Sequence, residues 1–203
     1  MNEIDPVRPS ASTNAILLAC LGLFAPTAAL AQTTSGTSLA QQQTVVGGQA
    51  FGEENPALTP IVPGQKAKLL PTGLAAAPAD APASVQQAIW SANAIVGKPY
   101  RYGGGHRRVE DTGYDCSGTI SYALIGADLQ DSPLDSSSFM DWGKRGRGEW
   151  ITVFTNPGHA YAVIAGLRLD TSAAGDPEGG KGPRWRPALR SSRGYKARHH
   201  EGF

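Results

Sequence analysis

The chain has 203 residues and a mass of 21.2 kDa, with 40% hydrophobic and 17% charged residues, enough to bury one sizeable core but not two. Its 25 glycines and 15 prolines exclude a coiled coil or helical repeat and point to loops and an unstructured stretch. A formal net charge of +1 excludes a nucleic-acid binder that works through bulk electrostatics.

Ala15 to Ala31 form an apolar run, interrupted by Pro26 and too short for a membrane span, that ends in Ala29-Leu30-Ala31 before Gln32. This is the pattern of a signal peptide over residues 1–31, although its leading segment is weakly basic, because Arg8 is offset by Glu3 and Asp5. The expectation is an exported protein of the periplasm or extracellular cell wall, with no stable membrane insertion once the signal is cleaved. A retained N-terminal anchor and a lipidated Cys20 are the alternatives. Cleavage after Ala31 removes Cys20 and leaves Cys116 as the only thiol, which then has no partner for an intramolecular disulfide.

Residues 32–83 contain one aromatic residue, Phe51, with six prolines and five charges, so apolar burial there does not offset ordering entropy. The expectation is a disordered Pro/Ala/Gln-rich linker; a small subdomain built on Leu58, Ile61, Val62, Leu69 and Leu70 is the alternative. Order is expected from Ser84, which has capping-box spacing to Gln87 and precedes Val85, Ala88, Ile89, Ala92 and Val96 at helical spacing. Gly97 and Pro99 end that helix. A loop with Gly103-Gly104-Gly105 follows, then a helix from about Cys116 to Ala123, stopped by Gly126, and a short one over Ser136 to Trp142. After Gly148 the period changes to two: strands are expected at Trp150 to Phe154, His159 to Ala165, Leu167 to Thr171 and Tyr195 to His199, with a turn at Asn156-Pro157-Gly158. Helices first and an antiparallel sheet second define an α+β domain over residues 84–203.

Cys116 opens a helix after Asp115, where unpaired backbone N–H groups and the positive end of the helix dipole favour a thiolate nucleophile. A buried, inert cysteine is the alternative. The matching base must titrate near pH 7, and the chain has four histidines: His106, His159, His199 and His200. His159 is best placed, because the preceding turn fixes its backbone at the end of a strand. Asp170, eleven residues on, falls at the end of the next strand and can orient the imidazole; it can equally be a turn cap, with Thr171 or Ser172 as weaker candidates for the orienting role.

Lys98-Pro99-Tyr100-Arg101-Tyr102-Gly103-Gly104, then Tyr114-Asp115-Cys116-Ser117-Gly118, then Gly158-His159 opening a strand, resemble the NlpC-type cell-wall cysteine peptidases over about residues 84–203. The resemblance implies a papain-like core, with the nucleophile's helix packed on an antiparallel sheet, and hydrolysis of amide bonds in peptidoglycan stem peptides, often between D-glutamate and diaminopimelate. It makes Cys116 the nucleophile, His159 the general base and Asp170 the orienting residue. Tyr100 becomes a contact to the oxyanion or substrate, Tyr102, Asp115 and Ser117 substrate contacts, and the Cys116 backbone N–H an oxyanion donor. The chain departs from the family in its strand His-Ala-Tyr-Ala-Val-Ile-Ala-Gly and in having Asp at a position that usually holds His, Asn or Gln.

Lys181 to Arg198 hold seven cations and no acid. The run reads as a solvated basic face, as contacts to stem-peptide carboxylates, or, as a weaker alternative, as a contact to membrane or lipopolysaccharide. There is no Cys-x-x-Cys or His-Glu-x-x-His, and the glycine run lacks the Lys-Ser/Thr of a phosphate loop, so no metal and no cofactor are expected. The expected partners are peptidoglycan stem peptides, and an activator or scaffold protein, for a monomeric enzyme. A catalytically silent peptidoglycan-binding member of the same fold and a thiol acyltransferase are the rival readings.

Overall fold

The computed structural model describes residues 55–176, 179–187 and 189–203. The apolar leader, Cys20 and residues 32–54 of the expected linker lie outside them. The later part of that linker is ordered. Strands β1 (Ile61–Val62), β2 (Lys68–Leu69) and β3 (Ala75–Pro78) form a small sheet in the order β1-β3-β2, parallel between β1 and β3 and antiparallel between β2 and β3. Composition misled here because Ala75, Ala76 and Ala77 carry little apolar surface, yet their small side chains let β3 pack closely and all three are buried. The backbone is anchored instead by hydrogen bonds, which composition does not reveal.

Helix α1 (Ala83–Ile95) buries Val85, Ala88, Ile89, Ala92 and Ile95 along one face. It starts one residue before the expected capping box: Pro82 stands at the N-cap with no side-chain bond, and Gln87 turns its amide to Ser91 Oγ. Asn93, buried on the same helix, accepts from Ala75 N at 2.9 Å and from Trp185 Nε1 at 2.8 Å through Oδ1. Its Nδ2 donates to the carbonyls of Leu58 and Ala75, each at 2.9 Å. One side chain therefore ties the small sheet, the helix and the distant Trp185 together.

Helix α2 (Cys116–Ile125) follows, buried on every side from Cys116 to Leu124. The expected third helix is a single 3-10 turn, Ser138–Asp141. The main sheet comprises β4 (Lys144–Arg145), β5 (Ile151–Asn156), β6 (His159–Ile164), β7 (Leu167–Leu169), β8 (Trp185–Arg186) and β9 (Lys196–His199). Its order is β4-β9-β5-β6-β7-β8 and every pairing is antiparallel. The architecture is α+β. Ile151 and Val153 of β5, Ala160, Ala162 and Ile164 of β6, and Leu167 and Leu169 of β7 meet residues of α1 and α2 in one core.

The β5–β6 hairpin turns on Pro157-Gly158; Asn156 Oδ1 accepts from the N–H groups of Gly158 and His159, both at 2.9 Å. The β6–β7 hairpin turns on Ala165 and Gly166, with φ of 46° and 84°, the sign a two-residue hairpin of this hand requires. Strands β4 and β8 lacked a period-two signal because each is two residues long.

The basic end is not a solvated face throughout. Arg186 is buried and donates to Asp176 Oδ2 at 2.5 Å and to the carbonyls of Gly179 and Gly180. Arg198, also buried, donates to the Met140 carbonyl and to Asp141 Oδ1. Lys181, Arg193 and Lys196 are exposed.

Candidate active site

Asp115 is the N-cap of α2: its Oδ1 accepts from Gly118 N at 2.8 Å. The cap exists because the Gly103-Gly104-Gly105 loop folds against the helix start. Gly103 N donates to Asp115 Oδ2 at 3.0 Å, and Asp115 N to the Gly104 carbonyl at 3.3 Å. Gly118 is crowded by that same carbonyl, which a Cβ at Gly118 would strike. Tyr100 and Tyr114 form a parallel bridge that closes the loop. The glycines of the two motifs are thus two sides of one close contact, and its product is a fixed helix N-terminus carrying Cys116.

Cys116 is buried but for 9% of its surface, and its Sγ lies 3.5 Å from Ser136 Oγ. Ser136 is held in turn by Thr155, whose hydroxyl donates to the Ser136 carbonyl at 2.5 Å. Burial by itself pushes the Cys116 thiol up, but hydrogen bonds from His159, Ser136 and the Ala160 N–H, with the charge of His159, bring it below its ordinary value.

His159 opens β6 on the side of Tyr161 and Val163, opposite the core-facing Ala160 and Ala162. Its Nε2 meets Asp170 Oδ1 at 2.9 Å, which leaves Nδ1 for the sulfur. Burial opposes the imidazolium, yet the bonds to Asp170 and Cys116 and their charges raise its pKa from 6.5 to about 9. A depressed thiol beside a raised imidazole shifts the pair towards thiolate and imidazolium.

Asp170, one residue past β7, is 1% exposed. Burial disfavours its charge, but His159, the Ser172 N–H and Arg190 lower its pKa below the usual carboxylate value. Ser172 N donates to Oδ1 at 2.8 Å and Arg190 to Oδ2 at 3.1 Å, and Arg168 Nε lies 3.8 Å from Oδ2. The residue is a full participant in the cluster and also caps a turn.

The remaining sequence-predicted residues divide. Tyr100, 42% exposed, stands near enough to Cys116 for burial and the charges of Cys116 and Asp115 to raise its phenol pKa. Tyr102 is 91% exposed and lines a loop cavity with Arg101, Arg107 and Arg108. Asp115 and Ser117, 7% and 3% exposed, turn inward. Both meet His106: Nε2 lies 2.9 Å from Asp115 Oδ1 and 3.3 Å from Ser117 Oγ. The bond to Asp115 raises the His106 pKa against the effect of burial. His199 and His200 lie away from this cluster, His200 against Trp142 and Phe203.

Sequence reasoning missed Ser136 and the Ala160 N–H as partners of the sulfur, because neither belongs to a motif and only the fold brings them there. Arg190 was visible as a cation of the basic end, but nothing in its spacing identified Asp170 as its partner. Among the described residues no group of three or more His, Cys, Asp or Glu is gathered as metal ligands, and no helix is long and apolar enough to cross a membrane. No protein-family model and no curated protein matches the chain.

Proposed function

We propose that the chain is an exported cysteine peptidase with a papain-like core, which hydrolyses amide bonds of peptidoglycan stem peptides. The observation that supports it is the convergence of Cys116 at a capped helix start with His159 and the buried Asp170. The Cys116 thiolate attacks the scissile carbonyl carbon, and the backbone N–H of Cys116 donates to the developing oxyanion. As the tetrahedral intermediate collapses, the C–N bond breaks and the His159 imidazolium gives its proton to the leaving amine. Neutral His159 then takes a proton from water, whose oxygen attacks the thioester. Loss of the thiolate releases the carboxylic acid and restores the ion pair. Asp170 keeps the imidazole oriented throughout.

Stem peptides enter through the resemblance of the PYRYGG and DCSG segments to cell-wall peptidases, with the D-glutamate to diaminopimelate bond as the expected target. The apolar leader supports the exported location in this reading. The test is mass spectrometry of purified peptidoglycan fragments incubated with the protein and with its Cys116→Ala variant. New products with wild type alone are expected, and their masses identify the bond. Products from both proteins, or bound sacculi without products from either, would overturn the reading. Transfer of the acyl group to an added amine in preference to water would replace hydrolysis with acyl transfer.

A further inference from the structure

Arg168 lies on β7 between the core-facing Leu167 and Leu169 and pairs with Val163, so its side chain leaves the main sheet on the face that carries His159 and Tyr161. That side chain is fully buried, yet none of its three guanidinium nitrogens has a hydrogen-bond partner among the described residues. Arg186, its cross-strand partner on β8, is equally buried but donates to Asp176 Oδ2 and to the carbonyls of Asp170, Gly179 and Gly180. A buried cation without hydrogen bonds is costly to fold, and a guanidinium does not shed its charge inside a protein. Burial works against the charge of Arg168, Asp170 and Asp176 support it, and Arg186 and Arg190 oppose it. Among the described residues the carboxylate within ion-pair reach is that of Asp170, whose Oδ2 lies 3.8 Å from Arg168 Nε.

The two oxygens of Asp170 are divided. Oδ1 accepts from the Ser172 N–H at 2.8 Å and meets His159 Nε2 at 2.9 Å. Oδ2 accepts from Arg190 Nη1 at 3.1 Å and faces Arg168. Arg190 keeps 18% of its side chain in solvent and lies over the rings of Tyr161 and Tyr195, so its charge is partly screened. That of Arg168 has no solvent to screen it, and in such surroundings a cation close to the carboxylate opposes the pull that the carboxylate exerts on the imidazolium. A buried carboxylate that served His159 alone would hold the ring's proton too firmly for it to be passed on.

We propose that Arg168 is a positioning residue of the Cys116 cluster that acts as a counter-charge: it occupies the far side of the Asp170 carboxylate, withholds part of its negative charge from His159, and so eases release of the imidazolium proton. The role rests on His159 as the proton carrier of the proposed peptidase. The other groups that face His159 are Cys116 from α2 and the rings of Tyr161 and Tyr195, at 6.5 and 6.4 Å, and none of them touches position 168 through a hydrogen bond or ion pair.

The test is NMR titration of His159 in the full-length protein, as wild type, Arg168→Met and Arg168→Lys, with no peptide substrate present. The wild-type midpoint is expected near 9. In Arg168→Met it is expected to rise, by about threefold or more in proton affinity, while Arg168→Lys, which keeps a cation on the strand, stays closer to wild type. An Arg168 that merely filled space would have the opposite signature, because a loosened Asp170 lets the midpoint fall towards 6.5. Wild type supplies a second reading should Arg168→Met fail to fold: the Arg168 Nε–H signal is expected to shift with the His159 midpoint, since both groups share one carboxylate. An unchanged or lowered midpoint in Arg168→Met, an equal rise in Arg168→Lys, or an Arg168 signal that does not follow His159 would overturn the counter-charge. Absence of cleavage products from peptidoglycan fragments would instead overturn the peptidase and leave the titration result standing.

Discussion

His159 Nε2 and Asp170 Oδ1 lie 2.9 Å apart at the open end of the β6–β7 hairpin. They are brought together by the pairing of Ala162 with Leu169, which carries the two strands past each other in that register. The shared carboxylate then receives Arg190 on its second oxygen, so the imidazole is held by a group that is itself fixed.

Replacing that carboxylate in Asp170→Asn removes the negative partner of His159 and leaves Arg168 and Arg190 facing an amide. The His159 pKa is expected to fall from about 9 towards 6.5, and alkylation of Cys116 at pH 7 to slow about tenfold. Histidine NMR titration and iodoacetamide kinetics check the two effects. A variant with unchanged histidine titration would reduce Asp170 to its turn cap.

The same ion pair sets a pH dependence of stability. The folded-state pKa of His159 is raised, so its contribution is complete below 6.5 and is lost as pH rises through about 9. The difference in melting temperature between wild type and His159→Gln should therefore be largest near pH 6 and shrink towards pH 9.5. Differential scanning calorimetry across that range measures it; a gap that widens with pH would contradict the ion pair.

Gly118→Ala places a methyl group against the Gly104 carbonyl, which is itself held by Asp115 N. Backbone on both sides leaves little room to relax, and a loss of about 1–3 kcal/mol is expected. Denaturant unfolding gives that number. The Cys116 alkylation rate should fall with it, because the displaced loop frees the Asp115 cap; Gly146→Ala, where the added Cβ meets open space but φ is 104°, is a control for backbone strain without that contact.

Asn93→Ala strips four hydrogen bonds from three separate parts of the chain. Ala75 N and Trp185 Nε1 would lose their partner in a buried setting, so destabilisation of about 3 kcal/mol or more is expected. Limited proteolysis should cut first between residues 55 and 82, where the small sheet depends on this side chain. Resistance there would mean that strand pairing alone holds the segment.

Much was legible in the linear chain because its signals are local. The period of Val85, Ala88, Ile89 and Ala92 dictates a helix, the Asn156-Pro157-Gly158 turn dictates a hairpin, and Asp115 before Cys116 and Gly118 dictates a helix start. For the same reason the candidate cluster of Cys116, His159 and Asp170 was readable: each member sits at the end of an element whose limits turn residues mark. The tertiary structure alone decided what lies between elements. Ala75 to Ala77 became a buried strand because Asn93, eighteen residues beyond Ala75, satisfies its backbone. Asp115 and Ser117 turned inward because the glycine loop brings His106 onto them, and Arg190 joined Asp170 across twenty residues. Burial and hydrogen-bond satisfaction are properties of assembled surfaces, so no spacing in the sequence announces them.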